Sequence, residues 1–215
     1  MSKTILITKP EYDYTTRYLF AWSHYVAKEA TERGDYVVEL ERERANRQEF
    51  ESVLEKIKAT FIIFQGHGNE TEITGQDSKT LVKMNSNDHL FAGKIIYALS
   101  CRSALLLGKK IVKKGAKAYI GYVNDFVFYY SQNKRTRPLE DKTAQLFLES
   151  SNQIAISLIK RKKVKEAYID SQRAFKKNIL NILASSSTIE EINLLPWLMW
   201  DMNNQVYHGD GEAAL

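Results

Sequence analysis

The stretch FIIFQG at positions 61–66 runs directly into His67 and Gly68, and the stretch IIYALS at positions 95–100 runs directly into Cys101. Each stretch is a short, continuous apolar run, which is typical of a strand buried on both faces of a parallel sheet. The carboxyl ends of parallel strands share one edge, and open α/β sheets bind their ligands there. If these two strands are neighbours, we expect His67 and Cys101 to emerge side by side.

Strand and helix patterns alternate along the chain, which predicts βαβ units with right-handed crossovers. We therefore expect a three-layer α/β/α sandwich around a mainly parallel central sheet of about six strands. The sequence has no internal repeat and no linker rich in Pro, Gly or Ser, so a single domain over residues 1–215 is the simplest organisation. The expected strands are 3–8, 36–40, 60–65, 94–100, 118–122 and 197–207, and the expected helices are 13–33, one from Asn46 to about Ile57, 103–114, 139–159 and 164–183.

A histidine beside a cysteine is the arrangement that generates a thiolate for nucleophilic attack. The predicted helix directly after Cys101 would favour an anion through its dipole, and both effects would lower the thiol pKa. Gly68 has no side chain, so its N–H could approach a substrate carbonyl and form an oxyanion hole with the N–H of Cys101. Taken alone, Cys101 is more typical of a small buried apolar residue and His67 of a hydrogen-bonded strand end. The two together, each after an apolar strand, favour catalysis.

These motifs resemble the caspase-like, or caspase-hemoglobinase, fold of cysteine peptidases, and most closely its gingipain-like and CHAT-type bacterial branches. The stretches ALSCRSA at 98–104 and GAKAYIGY at 115–122 are similar to the CHAT sequence that follows the nucleophile. The stretch HGDG at 208–211 resembles the Gly-Asp turn after the last strand in these families. The resemblance covers about residues 3–210.

The resemblance implies a cysteine endopeptidase that cleaves a protein or peptide substrate without a cofactor. His67 would be the general base and acid, and Cys101 the nucleophile. Basic-specific relatives such as metacaspases carry an acidic residue before the nucleophile, where this chain has Ser100. Asp125 could line the primary pocket and favour Lys or Arg, or it could simply cap a loop. Ser100 and Asp125 are therefore candidate substrate contacts, and the specificity stays open.

The composition argues against several other classes of site. Cys101 is the single cysteine, which excludes an internal disulfide and a multi-thiolate metal site. No His, Cys, Asp or Glu cluster has metal-ligand spacing, so we expect no metal. A flavodoxin-like domain that binds an anion or nucleotide is another hypothesis, but the first strand is followed by Lys9-Pro10-Glu11 rather than by a glycine-rich turn.

The chain carries a net charge of +5 and a pI near 9.1. Its basic residues are spread among acidic ones, and the densest run, 160–163, is typical of a solvated helix end. No repeated aromatic and basic pattern suits base stacking, so we do not expect direct binding of nucleic acid. No stretch approaches the ~20 apolar residues of a transmembrane helix, and the first segment is too short for a signal peptide. We expect a cytoplasmic protein that does not bind a membrane.

The segment 124–137 follows the predicted strand 118–122 at the edge where His67 and Cys101 should lie. Its aromatic run and its basic tip, Lys134-Arg135-Thr136-Arg137, make it a candidate switch, because long loops inside compact domains tend to be functional. We expect control by a partner protein or by processing of this loop; the alternative is a solvated surface loop with a few packed aromatic side chains. The alternative function is a catalytically silent caspase-like module that binds partner proteins.

Overall fold

The computed structural model describes residues 2–184 and 186–215. Within these residues the chain forms eight β-strands and seven α-helices. The strands are β1 Thr4–Lys9, β2 Tyr36–Glu41, β3 Phe61–Gln65, β4 Glu72–Thr74, β5 Thr80–Lys83, β6 Ile95–Leu99, β7 Ala118–Tyr122 and β8 Gln205–Gly209. The helices are α1 Tyr14–Glu32, α2 Arg47–Lys56, α3 Leu107–Lys113, α4 Lys142–Ile159, α5 Val164–Ala184, α6 Ile189–Ile192 and α7 Leu195–Asn204.

Six strands form one central sheet in the order β2-β1-β3-β6-β7-β8. All neighbours are parallel except β8, which runs antiparallel to β7. The predicted sheet of about six mainly parallel strands is confirmed. The remaining strands, β4 and β5, form a separate antiparallel pair after β3.

Helices cover both faces of the sheet, because successive side chains of a strand point to opposite faces. In β1, Ile5 and Ile7 belong to a core shared with α1, α4 and α5, whereas Leu6 belongs to a core shared with α2 and α3. β3, β6 and β7 are buried at every position, as strands covered on both faces must be. The three-layer α/β/α architecture follows from these two cores.

The predicted strand over 197–207 is wrong. Residues Leu195–Asn204 form helix α7, and only Gln205–Gly209 form a strand. Pro196 lies in the first turn of this helix, where its missing N–H leaves no intrahelical bond unmade. The buried residues Leu198 and Asp201 are three positions apart, which is helical spacing and not strand spacing.

The helix predicted over 103–114 begins four residues later, at Leu107. Residues 101–106 form turns, and Arg102 has a left-handed φ of 54°, a conformation that non-glycine residues adopt only at some cost. The Ala104 N–H donates to Tyr122 O at 3.0 Å, outside any helical pattern. As a consequence, Cys101 does not lie at a helix N-terminus.

The other predicted helices and strands are present with small shifts at their ends. Helix α4, for example, begins at Lys142 and not at Leu139, because Asp141 caps it by accepting from the N–H groups of Thr143 and Ala144. None of the helices described is both long and apolar enough to cross a membrane. The single-domain organisation stays a prediction.

Candidate active site

The two sequence motifs meet at the carboxyl edge of neighbouring central strands. Strands β3 and β6 pair in parallel with Gln65 opposite Leu99, and the Gly66 N–H donates to Leu99 O at 3.2 Å. His67 and Cys101 each follow two residues after this last pair. The expectation that their strands are neighbours is confirmed.

Three elements fix the position of His67. Its Nε2 lies 2.7 Å from the carboxylate oxygen Oδ2 of Asp13. Asp13 is itself held in place, because it is the N-cap of α1 and accepts from the Thr16 N–H at 2.7 Å. The His67 carbonyl accepts from the Thr74 N–H at 3.0 Å, which ties the histidine to β4. The site therefore contains a carboxylate that orients the imidazole.

Sequence reasoning placed Asp13 only as a helix cap, which is confirmed, and missed its contact with His67. The contact between Asp13 and His67 could have been inferred only from the order of the strands in the sheet. Asp13 follows β1, and β1 lies beside β3 in the sheet, so Asp13 and His67 leave the sheet at the same edge. Partial burial alone would raise the pKa of Asp13, but hydrogen bonds from Thr16 and His67, together with the charge of His67, bring it below its ordinary value. Asp13 is consequently ionised near neutral pH.

The thiol of Cys101 has a different environment. Burial is the largest influence and raises the pKa of Cys101 above its ordinary value, and the carboxylate of Asp125 adds to this. The main chain of Phe126 and the guanidinium of Arg102 act in the opposite direction without reversing the shift. The expected lowering of the thiol pKa is thus not found, since the thiol is covered and α3 begins too far along the chain to contribute its dipole.

The Cys101 Sγ lies 3.9 Å from the carbonyl oxygen of Phe126 and donates to it. A carbonyl oxygen only accepts hydrogen bonds, so the sulfur carries the proton in this contact. The Phe126 main chain as a whole opposes the rise of the thiol pKa, but burial outweighs this opposition. Burial of the thiol and its donor contact with Phe126 O both favour the protonated form of Cys101.

The Gly68 N–H lies at the same edge and has no hydrogen-bond acceptor among residues 2–184 and 186–215. It faces Ile73 in an isolated antiparallel bridge. The hydrogen bonds on either side run from Asn69 N to Glu72 O and from Thr74 N to His67 O, so Gly68 is the non-hydrogen-bonded member and its N–H points away from that strand. A Cβ on Gly68 would lie 2.1 Å from Ser100 Oγ and 2.8 Å from Glu72 O. Only glycine fits this position without a shift of its neighbours.

The two candidate substrate contacts differ in exposure. Ser100 is only 1% exposed and packs beneath Gly68. Asp125 is exposed, but its Oδ1 pairs with Arg102 Nε at 2.9 Å, and this pairing neutralises the charge that a basic substrate would need. The assignment of Ser100 and Asp125 as substrate contacts stays a prediction.

Across residues 2–184 and 186–215, no group of three or more His, Cys, Asp or Glu side chains is arranged to hold a metal ion. The chemistry available at this edge is that of a thiol, an imidazole, a carboxylate and a free backbone N–H.

Comparison with known proteins gives matches in structure only. No protein-family model matches the sequence, and no curated protein matches it. The fold is similar to that of the Arg-specific cysteine proteinase gingipain R (RgpB), with a TM-score of 0.60 and 10% identity over 99% of this chain and 47% of the other. It is also similar to a complex of the pro- and mature domains of RgpB from Porphyromonas gingivalis, with a TM-score of 0.60, 8% identity and coverage of 99% and 48%. A third match is an inactive zymogen C11 protease from Parabacteroides distasonis, with a TM-score of 0.41, 10% identity and coverage of 93% and 81%.

The fold is caspase-like. At these identities the gingipain match shows the fold alone, and the chain spans about half the length of the gingipain chains. The gingipain-like part of the sequence resemblance is therefore confirmed at the level of fold. The CHAT-type resemblance and the cytoplasmic location stay predictions.

Proposed function

We propose that this chain is a cysteine endopeptidase that cleaves a protein or peptide substrate. The observation that carries the proposal is the pairing of β3 with β6, which brings a carboxylate-oriented imidazole and the single thiol to the same edge of the sheet. A fold shared with a cysteine proteinase supports it. The reaction class follows from the side chains, because a thiol beside an imidazole is suited to acyl transfer.

In the proposed mechanism Cys101 is the nucleophile and His67 the general base and acid. The Nε2 of His67 donates to Asp13, so Nδ1 is the nitrogen that takes the thiol proton. The thiolate then attacks the substrate carbonyl, and the N–H groups of Gly68 and Cys101 stabilise the oxyanion, each contributing about 3 kcal/mol at most. His67 returns the proton to the leaving amine, and water hydrolyses the thioester with His67 again as base.

Control by a partner or by loop processing belongs to the same proposal. The basic tip of segment 124–137 is tied down, since Lys134 Nζ pairs with Glu140 at 2.9 Å and Arg137 pairs with it at 3.1 Å. The guanidinium of Arg135 lies 4.5 Å from the ring centroid of Tyr14, the residue after Asp13. Cleavage or displacement of this tip would therefore remove a contact on Tyr14, next to the Asp13 carboxylate that orients His67.

One observation favours a second candidate, the catalytically silent partner-binding module. The thiol of Cys101 is covered and its pKa is raised, which is typical of an inert cysteine. In that case His67 and Cys101 would be retained without turnover.

A peptide acyloxymethyl-ketone library separates the two candidates, because such a probe labels a cysteine that attacks it. We expect covalent labelling of Cys101, with the label lost in Cys101→Ala and strongly reduced in His67→Ala. His89→Ala is the matched control, because His89 lies in the short turn before β6, at the other end of that strand. Absence of labelling across the library, with intact fold and with partner protein added, would favour the silent module.

A further inference from the structure

Segment 124–127 lies against Cys101 and Arg102 and covers the thiol. Besides the contact between Cys101 Sγ and Phe126 O, the Arg102 N–H donates to Asn124 O at 3.1 Å. The Arg102 side chain pairs with Asp125 at 2.9 Å. The two residues at the nucleophile thus bind three successive residues of the segment.

Helix α7 holds the same segment from its other side through three side chains. The Trp200 indole N–H donates to Asp125 O at 2.8 Å, and Asp201 Oδ1 accepts from the Val127 N–H at 3.0 Å. Asn204 Oδ1 accepts from the Asn124 side chain at 2.8 Å. We call segment 124–127 together with Trp200, Asp201 and Asn204 the thiol latch.

Asp201 is an unusual residue in this position. Its carboxyl group is completely buried, and Oδ2 has no hydrogen-bond partner among the residues described. Burial raises the pKa of Asp201 well above its ordinary value, against the opposing hydrogen bond from Val127. Burial therefore favours the uncharged form of this carboxyl group, and asparagine matches it in shape.

We propose that Trp200 and Asp201 are positioning residues that hold segment 124–127 over Cys101, so that the nucleophile rests as a half-buried thiol, with its Sγ against Phe126 O, until the thiol latch opens. This inference rests on the proposed role of Cys101 and adds a means of control to it. The control acts from α7 through its hydrogen bonds to segment 124–127.

Opening of the thiol latch changes the thiol in two ways. Water reaches the sulfur, which removes the main influence that raises its pKa, and the carbonyl of Phe126 no longer accepts its proton. The proton can then pass to Nδ1 of His67. The charged or titratable groups around the sulfur are Arg102, Asp125 and Asp201, with His67 across the β3–β6 edge.

Alkylation of the single cysteine by iodoacetamide tests the inference directly, since no other thiol reacts. The rate is measured from pH 5 to pH 10 for the wild type, Trp200→Phe and Asp201→Ala. We expect both variants to react faster at pH 7 and with a lower midpoint of the pH profile. A midpoint lowered by one unit corresponds to about a tenfold larger thiolate fraction.

Two matched controls separate the latch from general loosening of the fold. Trp197→Phe changes the other partly exposed tryptophan of this part of α7, whose ring packs on Tyr129 at 5.8 Å between centroids. Asp201→Asn keeps an acceptor for the Val127 N–H. Both should match the wild-type rate and pH midpoint. Trp200 is 40% exposed, so Trp200→Phe should fold even if Asp201→Ala does not.

The inference is overturned if folded Trp200→Phe keeps the wild-type alkylation rate and pH midpoint, or if Trp197→Phe changes them equally. Alkylation requires no peptide cleavage, so this result is independent of the proposed function. If Trp200→Phe is alkylated quickly but is never labelled by the peptide probes, the inference about the thiol latch stands. The proposed peptidase function is then wrong.

Discussion

The ends of β3 and β6 lie side by side in one sheet, yet they place their reactive groups in opposite conditions. His67, after β3, is about one-third exposed and is held by an ionised carboxylate at 2.7 Å. Cys101, after β6, is half-buried, its Sγ lies against Phe126 O, and burial raises its pKa. The imidazole is oriented by a carboxylate, whereas the sulfur donates its proton to a main-chain carbonyl. Under the proposed function, the thiol side is where the site is controlled.

The largest expected effect comes from removing either member of the pair. Cys101→Ala should reduce peptide cleavage to background, and His67→Ala should reduce kcat by about 10²- to 10⁴-fold. The double variant should be no worse than Cys101→Ala, because the two groups act as a unit. The measurement is turnover of a peptide found in the labelling screen. If peptide cleavage survives Cys101→Ala, Cys101 is not the nucleophile, and the contrast between the two strand ends has no bearing on catalysis.

The oriented imidazole can be tested separately from the helix cap. Asp13→Asn keeps a good N-cap but loses the charge that faces His67, so kcat/KM should fall by about 10²- to 10⁴-fold with little change in Tm.

Thr16→Ala is the matched variant for this test. The Thr16 hydroxyl accepts from the N–H groups of Tyr12 and Asp13, so its loss should cost about 1 kcal/mol of stability and leave kcat/KM near the wild-type value. If Asp13→Asn and Thr16→Ala show the same ratio of activity loss to stability loss, the proposal that Asp13 orients His67 for catalysis is wrong.

The space beneath the proposed oxyanion donor can be probed with Gly68→Ala. Its Cβ would lie 2.1 Å from Ser100 Oγ and 2.8 Å from a backbone oxygen, so the strand end must shift. We expect a loss of about 1–3 kcal/mol in the free energy of unfolding, measured in urea, and a fall in turnover of at least about tenfold.

Ser100→Ala removes a buried hydroxyl that has no hydrogen-bond partner in the described part of the chain. This variant should be close to neutral alone and should partly restore the stability of Gly68→Ala. If Gly68→Ala keeps full stability and turnover, the close packing of Gly68 against Ser100 and Glu72 is not needed for function.

The smallest expected effect is a pH dependence at the β3 end. The pKa of Asp13 is lowered in the folded protein, so its contribution to stability is present above its unfolded pKa and is lost as the pH falls through the folded pKa. Because Asp13 is partly exposed, this contribution is screened and should stay below about 1 kcal/mol. Urea unfolding of wild type and Asp13→Asn should differ slightly at pH 7 and converge below about pH 4. A difference that grows on acidification would contradict the assignment.

The local patterns of the chain predicted most of the elements, because the apolar runs are short, continuous and bounded. The prediction failed at 197–207, where aromatic and aliphatic residues suggested a strand, but helix α7 begins at Leu195 and continues to Asn204 with Pro196 in its first turn. It also failed after Cys101, where Arg102 turns the chain and delays α3 to Leu107. In both places the conformation depends on contacts with distant residues, which a window of sequence does not contain.

The sequence by itself determined that an imidazole and the single thiol end two buried parallel strands, since this needs only hydrophobic pattern and residue order. Only the tertiary structure decided that β1 lies next to β3, which brings Asp13 to His67 from 54 positions away in the chain. It also decided that α7 returns to hold segment 124–127 over Cys101. The physical reason is that hydrogen bonding and burial act through space, so the state of a thiol or a carboxylate depends on whatever the fold packs around it.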